Sequence, residues 1–133
     1  MLKSFAFLLT GLLIAGTVAG AQDHKVTKVT LTGWFSDAEC APARLRAAKL
    51  GPSNPDCSRQ CIEKGVPAVF ISESGREILK VVNYPGVKDD LGFHVEVLGA
   101  LDPVSKTISV QLVRQLSWDG AKCSRKPGAG RNR

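Results

Sequence analysis

Apolar and polar residues alternate at different periods along this chain, and the periods mark out its elements. Val29, Leu31, Gly33 and Phe35 alternate with Thr30, Thr32 and Trp34. That two-residue period belongs to a strand with one buried face and predicts a first strand over 25–36. Asp37 to Cys40 ends it. Pro42 then stands where a first helical turn tolerates proline, 43–50 is made of good helix formers, and Gly51 marks a stop, so a short helix is expected there. Gly51, Pro52 and Pro55 break the chain again. Asn54 or Asp56 can cap a second short helix, which ends at Gly65 because Pro67 forbids its continuation.

Beyond Pro67 the period returns to two. Residues 68–71 and 77–82 are rich in β-branched and apolar side chains, and 73–76 has the turn chemistry of a hairpin. Pro85, Gly86 and the charged Lys88-Asp89-Asp90 make 83–92 a loop with room for one helical turn. Phe93, Val95 and Val97 then alternate with His94 and Glu96 up to Gly99, and after a turn at 102–106 Ile108, Val110 and Leu112 alternate with Ser109 and Gln111. Five short strands without a long amphipathic helix predict a mainly β domain, with one or two short helices, closed or partly closed into a small barrel.

The first 21 residues read differently. One cation, Lys3, precedes an apolar run over 5–15 that only Thr10 and Gly11 interrupt, and Ala19-Gly20-Ala21 fits the small-x-small rule for signal peptidase. The run is about half of the ~20 residues that a bilayer span needs, so a cleaved signal peptide over 1–21 is expected, with no transmembrane anchor afterwards. The protein is then exported, periplasmic or extracellular. Residues 22–118 form the domain, and 119–133 a flexible basic tail. Five cations (Lys122, Arg125, Lys126, Arg131, Arg133) stand against one acid in that tail, whereas 22–118 carries 12 cations against 11 acids. The tail has no aromatic residue on which a base would stack, which argues against nucleic acid. It leaves an envelope protein, a glycan or an anionic surface as the partner classes it fits.

Export changes how the cysteines are read. Cys40, Cys57, Cys61 and Cys123 are an even number in an oxidising compartment, which favours disulfides. On a helix Cys57 and Cys61 lie one turn apart with nearly parallel side chains, a poor geometry for joining each other, so they would reach outward to Cys40 and Cys123. A bridge from Cys40 to either closes a loop of about 17 to 21 residues, worth about 3 kcal/mol in the chain-entropy view. Two other readings stand beside it. Cys40, Cys57 and Cys61, with His94 as a further ligand, would bind copper or zinc, since cysteines four apart share a helical face. Thiol redox chemistry at Cys57, near a helix N-terminus, is the third.

Leu31-Thr-Gly-Trp-Phe-Ser-Asp-Ala-Glu-Cys40, followed by Cys57-Ser-Arg-Gln-Cys61-Ile-Glu-Lys-Gly-Val-Pro67, resembles a group of small exported bacterial domains of uncharacterised function. The resemblance runs from about Val29 to Leu116. The closing pair of strands, 94–99 and 106–112, is similar to the end of small OB-fold barrels, which implies a five-stranded OB-like barrel. The His that such domains carry shortly before the paired cysteines is missing between Cys40 and Cys57.

The remaining candidates are short. His94 and Glu96 share a strand face, and His24 with Gln22 and Asp23 lies near the start of the mature chain. Asp37 with Glu39, and Asp89 with Asp90, are acid pairs. Trp34 and Trp118 fit packing near strand ends better than a sugar or base platform. No nucleophile elbow or phosphate loop occurs, and no catalytic residue is assigned. The expectation is an exported, non-enzymatic binding or structural module held by disulfides, without a cofactor, or alternatively a copper- or zinc-binding protein.

Overall fold

The computed structural model describes residues 25–120, and the expected signal peptide, His24, Cys123 and the five tail cations lie outside the described residues. Five strands form one sheet: β1 (Thr27–Asp37), β2 (Ala68–Ser72), β3 (Glu77–Val82), β4 (Phe93–Asp102) and β5 (Thr107–Trp118). Two helices, α1 (Ala41–Arg46) and α2 (Pro55–Glu63), lie between β1 and β2, and a four-residue α3 (Val87–Asp90) lies between β3 and β4. The ladder runs β1-β2-β3-β5-β4 and returns to β1. All pairs are antiparallel except β3 with β5.

The return depends on β1, which is long enough to serve two neighbours. Thr27 to Gly33 pairs with β4, and Gly33 to Asp37 pairs with β2. Gly33 belongs to both ladders. A Cβ there would sit 2.0 Å from the Ile71 carbonyl oxygen and 2.9 Å from the Phe70 ring, so the handover between strands needs a residue without a side chain.

Phe35, Phe70, Leu79, Val95, Val97 and Ile108 fill the inside, closed at one end by Val87 and Leu91 from around α3. β2 is buried on both faces: Phe70 points into that core while Val69 and Ile71 pack with Ala41 of α1 and with Leu45 and Leu50. This explains why β2 reads as a continuous apolar run where β4 alternates.

Two expected elements shift. The first helix occupies Ala41–Arg46 rather than 43–50, because Ala47 is already extended and the Arg76 guanidinium donates to the carbonyls of Leu45 (3.2 Å) and Ala47 (3.3 Å). A hairpin residue about thirty positions away thus satisfies the carbonyls that another helical turn would have used. β5 runs six residues past Leu112, since β4 offers partners up to the Phe93–Trp118 pair, with register shifts between His94 and Val95 and between Leu98 and Gly99. Ordered contacts continue through the start of the expected tail. The Asp119 backbone N–H donates to Gly92 (2.9 Å), and Gly120 lies against Trp118.

Candidate metal centre

At its last residue β1 meets the insertion that carries the cysteines. Asp37 is fully buried, and its carboxylate works in two directions. Oδ1 accepts from the backbone N–H groups of Glu39 and Cys40, both at 3.0 Å, which turns the chain out of the sheet and into α1. Oδ2 accepts from the Ser58 hydroxyl at 2.6 Å, fixing the buried side of α2 to the end of β1. A second buried contact, Ser36 to Ser53 at 2.6 Å, ties the start of that segment down. Asn54 caps α2 by accepting from Asp56 (3.0 Å) and Cys57 (3.1 Å).

These restraints bring three thiols together. Cys40 stands at the N-cap of α1, while Cys57 and Cys61 occupy successive turns of α2. The Sγ atoms of all three lie within 4.8 Å of one another, and Cys40 Sγ is 3.9 Å from Cys57 Sγ. Zinc–sulfur bonds of about 2.3 Å place two thiolates of one ion about 3.8 Å apart in a tetrahedral site. A disulfide would need about 2.05 Å. The three described cysteines are therefore unbonded, and the Cys40–Cys57 pair has the spacing of two ligands of one ion. Cys57 is exposed, and the other two are half-buried.

The surroundings are electronegative. Burial raises the Asp37 carboxyl, but the Ser58 hydroxyl and the N–H groups of Cys40 and Glu39 outweigh it, so Asp37 titrates below its ordinary value and stays ionised. Burial, hydrogen bonding to Asp37 and Cys57, and the Asp37 charge push the Cys40 thiol up to about 12. Cys61 is raised as well, by burial first and then by the negative fields of Asp37, Cys57 and Glu39. Carboxylate oxygens of Asp37 and Glu39 lie within 4.8 Å of each other and of Cys61 Sγ. Burial and these charges favour the protonated forms of the Cys40 and Cys61 thiols.

His94 is not brought to this cluster. Its Nε2 is 3.0 Å from Glu73 Oε2, and its ring stacks on Trp34 with centroids 4.8 Å apart. The expected His94–Glu96 pair does not form either. Glu96 faces Arg114 across the β4–β5 ladder and accepts from its guanidinium at 2.9 and 3.1 Å. A directly opposed cross-strand residue is nearer than the next residue on the same face of the same strand.

Trp34 is buried and donates its indole N–H to Asp119 (3.1 Å), whereas Trp118 is half-exposed and meets Phe93 edge-on. Both make aromatic packing contacts. Asp90 is spent on the Tyr84 hydroxyl and on Gln115 Nε2 (2.8 Å), and that hydroxyl is held protonated by burial and by the carboxylate it bonds. Two open clefts of about 560 and 600 Å³ meet at Lys49, Leu50 and Asp119, and none of the three described cysteines lines them.

Ser36, Ser53 and Ser58 escaped the sequence reading. Their only signal was small polar residues beside a cap and a strand end. The chain matches no protein-family model, no curated protein and no solved structure.

Proposed function

We propose that this chain is an exported, non-enzymatic module on an OB-like barrel, and that its function is to hold a thiophilic metal ion, zinc or copper, through Cys40, Cys57 and Cys61. The observation that carries the reading is the convergence of three sulfurs within 4.8 Å on a scaffold already fixed by Asp37. Sulfur from cysteine selects zinc and Cu(I) over the hard divalent ions. The OB-like label is supported by the strand order, the single parallel β3–β5 pair and the helix between β3 and β4. Export rests on the features of 1–21.

The Cys40–Cys57 sulfur pair is already within about 0.1 Å of a tetrahedral edge. Binding does require deprotonation: burial first, and then the hydrogen bonds and charge of the neighbouring groups, raise the Cys40 and Cys61 thiols, and the negative charge of Asp37 also attracts the cation. His94 takes no part. The reduced, metal-free protein is expected to take up one equivalent of zinc or Cu(I), and its cobalt form to show thiolate-to-metal charge-transfer absorption. The variant with Cys40, Cys57 and Cys61 all replaced by Ser is expected to lose both. Uptake that survives the triple replacement would dismiss the reading.

A further inference from the structure

Cys40 and Cys57 differ from Cys61 in what each can do besides bind an ion. Cys57 and Cys61 are held on one rigid helix with nearly parallel side chains, so neither can turn far toward the other. Cys40 is joined to Cys57 through a segment with no helix or strand between Ala47 and Asn54, and its sulfur is 3.9 Å away. Closing that pair to a bond of about 2.05 Å moves the sulfurs together by about 1.9 Å. Cys57 is the exposed member, open to an incoming reagent, and Cys40 stands half-buried behind it.

We propose that the metal site is redox-gated: Cys40 and Cys57 close into a disulfide that is incompatible with the three-thiolate ion, so oxidation discharges the metal and reduction restores the site. The inference rests on the metal-binding reading. The oxidant is a disulfide donor, and the step is thiol–disulfide exchange. The Cys57 thiolate attacks one donor sulfur and expels the other as a thiolate, leaving a mixed disulfide on Cys57. The Cys40 sulfur, giving up its proton to the departing thiolate, then attacks Cys57 Sγ and expels the second donor sulfur. Two protein thiols become one disulfide, with loss of two protons and two electrons, and one donor disulfide becomes two thiols. Cys61 alone remains as a sulfur ligand, and the ion passes to solvent or a chelator.

The test uses the full mature chain loaded with zinc and treated with oxidised glutathione. Free zinc is followed by a chelating dye, mass by intact spectrometry, and bridge position by peptide mapping. The expected result is one zinc released for each protein that loses two hydrogens, with Cys40 and Cys57 in the bridged peptide, and recovery of zinc binding after reduction. The Cys61→Ser variant is expected to form the same bridge. Zinc retained after the Cys40–Cys57 bridge forms would overturn the gate, as would a bridge that maps to Cys61 or Cys123, and both leave metal binding itself intact. Failure of the reduced protein to bind zinc or Cu(I) at all removes the metal-binding reading and the gate with it.

Discussion

Replacing Asp37 with Ala removes one acceptor from three donors at once. The backbone N–H groups of Glu39 and Cys40 lose Oδ1, and the buried Ser58 hydroxyl loses Oδ2. Each hydrogen bond to a charged group contributes about 1.5–3 kcal/mol, and a buried donor left unpaired costs about 1–3 kcal/mol. The three share one carboxylate and do not add fully, which sets the expected loss at about 3–5 kcal/mol. For a domain of this size 1 kcal/mol moves the melting temperature by about 4–8 °C, so a fall of more than about 12 °C is expected in a thermal melt under reducing conditions. Asp37→Asn keeps the Oδ1 acceptor and loses the charge, and is expected to cost about 1–2 kcal/mol. The pH dependence separates the two contributions. Asp37 titrates in the folded state below its ordinary value of 3.8, so its charge contributes stability that is complete above that value and is lost as the pH falls through the folded pKa. The stability gap between wild type and Asp37→Asn should therefore narrow on acidification below about pH 4. An Asp37→Ala protein within 1 kcal/mol of wild type, or a gap that stays constant through that range, would refute the assignment of Asp37 as the knot of the cap.

Gly33→Ala places a methyl 2.0 Å from the Ile71 carbonyl oxygen, and the overpacking is expected to lower stability by about 3 kcal/mol in urea denaturation; a loss below 0.5 kcal/mol would mean that β1 is free to move away from β2. Asn54→Ala removes the cap of α2 and should cost about 1 kcal/mol, with weaker zinc binding because Cys57 and Cys61 ride on that helix. Zinc affinity should rise steeply with pH from about 6 to about 8, because the ion must displace protons from thiols that the site raises, Cys40 to about 12; a flat profile in competition with a chromophoric chelator would exclude thiolate ligands.

The strands were legible because each buries one face or two. Val29 to Phe35 and Phe93 to Gly99 alternate, and 68–71 is continuously apolar, and those are the patterns that a sheet wrapped around one core imposes. The end of α1 was not legible, because the group that terminates it, the Arg76 guanidinium, lies across the fold. The last half of β5 was hidden for a related reason: Leu112, Leu116 and Trp118 are exposed, and the strand continues there because β4 offers partners rather than because its own residues seek a core. The three cysteines were visible as ligand types. Their meeting was not, since it depends on Asp37 gripping Ser58 at a separation of 21 residues. His94 was placed with the wrong neighbours by the same limit. Strand alternation gives its face, while the side chains that reach that face, Glu73 and Trp34, come from other parts of the sheet.

The chain leaves the sheet between β1 and β2, and the three described cysteines all lie in that excursion rather than on a strand. The insertion between β1 and β2 is pinched at its neck by the Ala38 N–H donating to the Pro67 carbonyl at 3.0 Å. Everything between those residues is held to the sheet by α1 packed on β2 and by the Asp37–Ser58 and Ser36–Ser53 contacts. The core inside the sheet contains none of the three described cysteines. Gain or loss of an ion, or closure of a disulfide, would therefore act first on the insertion and reach the core of Phe35, Phe70 and Leu79 through Ile62, the neighbour of Cys61 that packs against it.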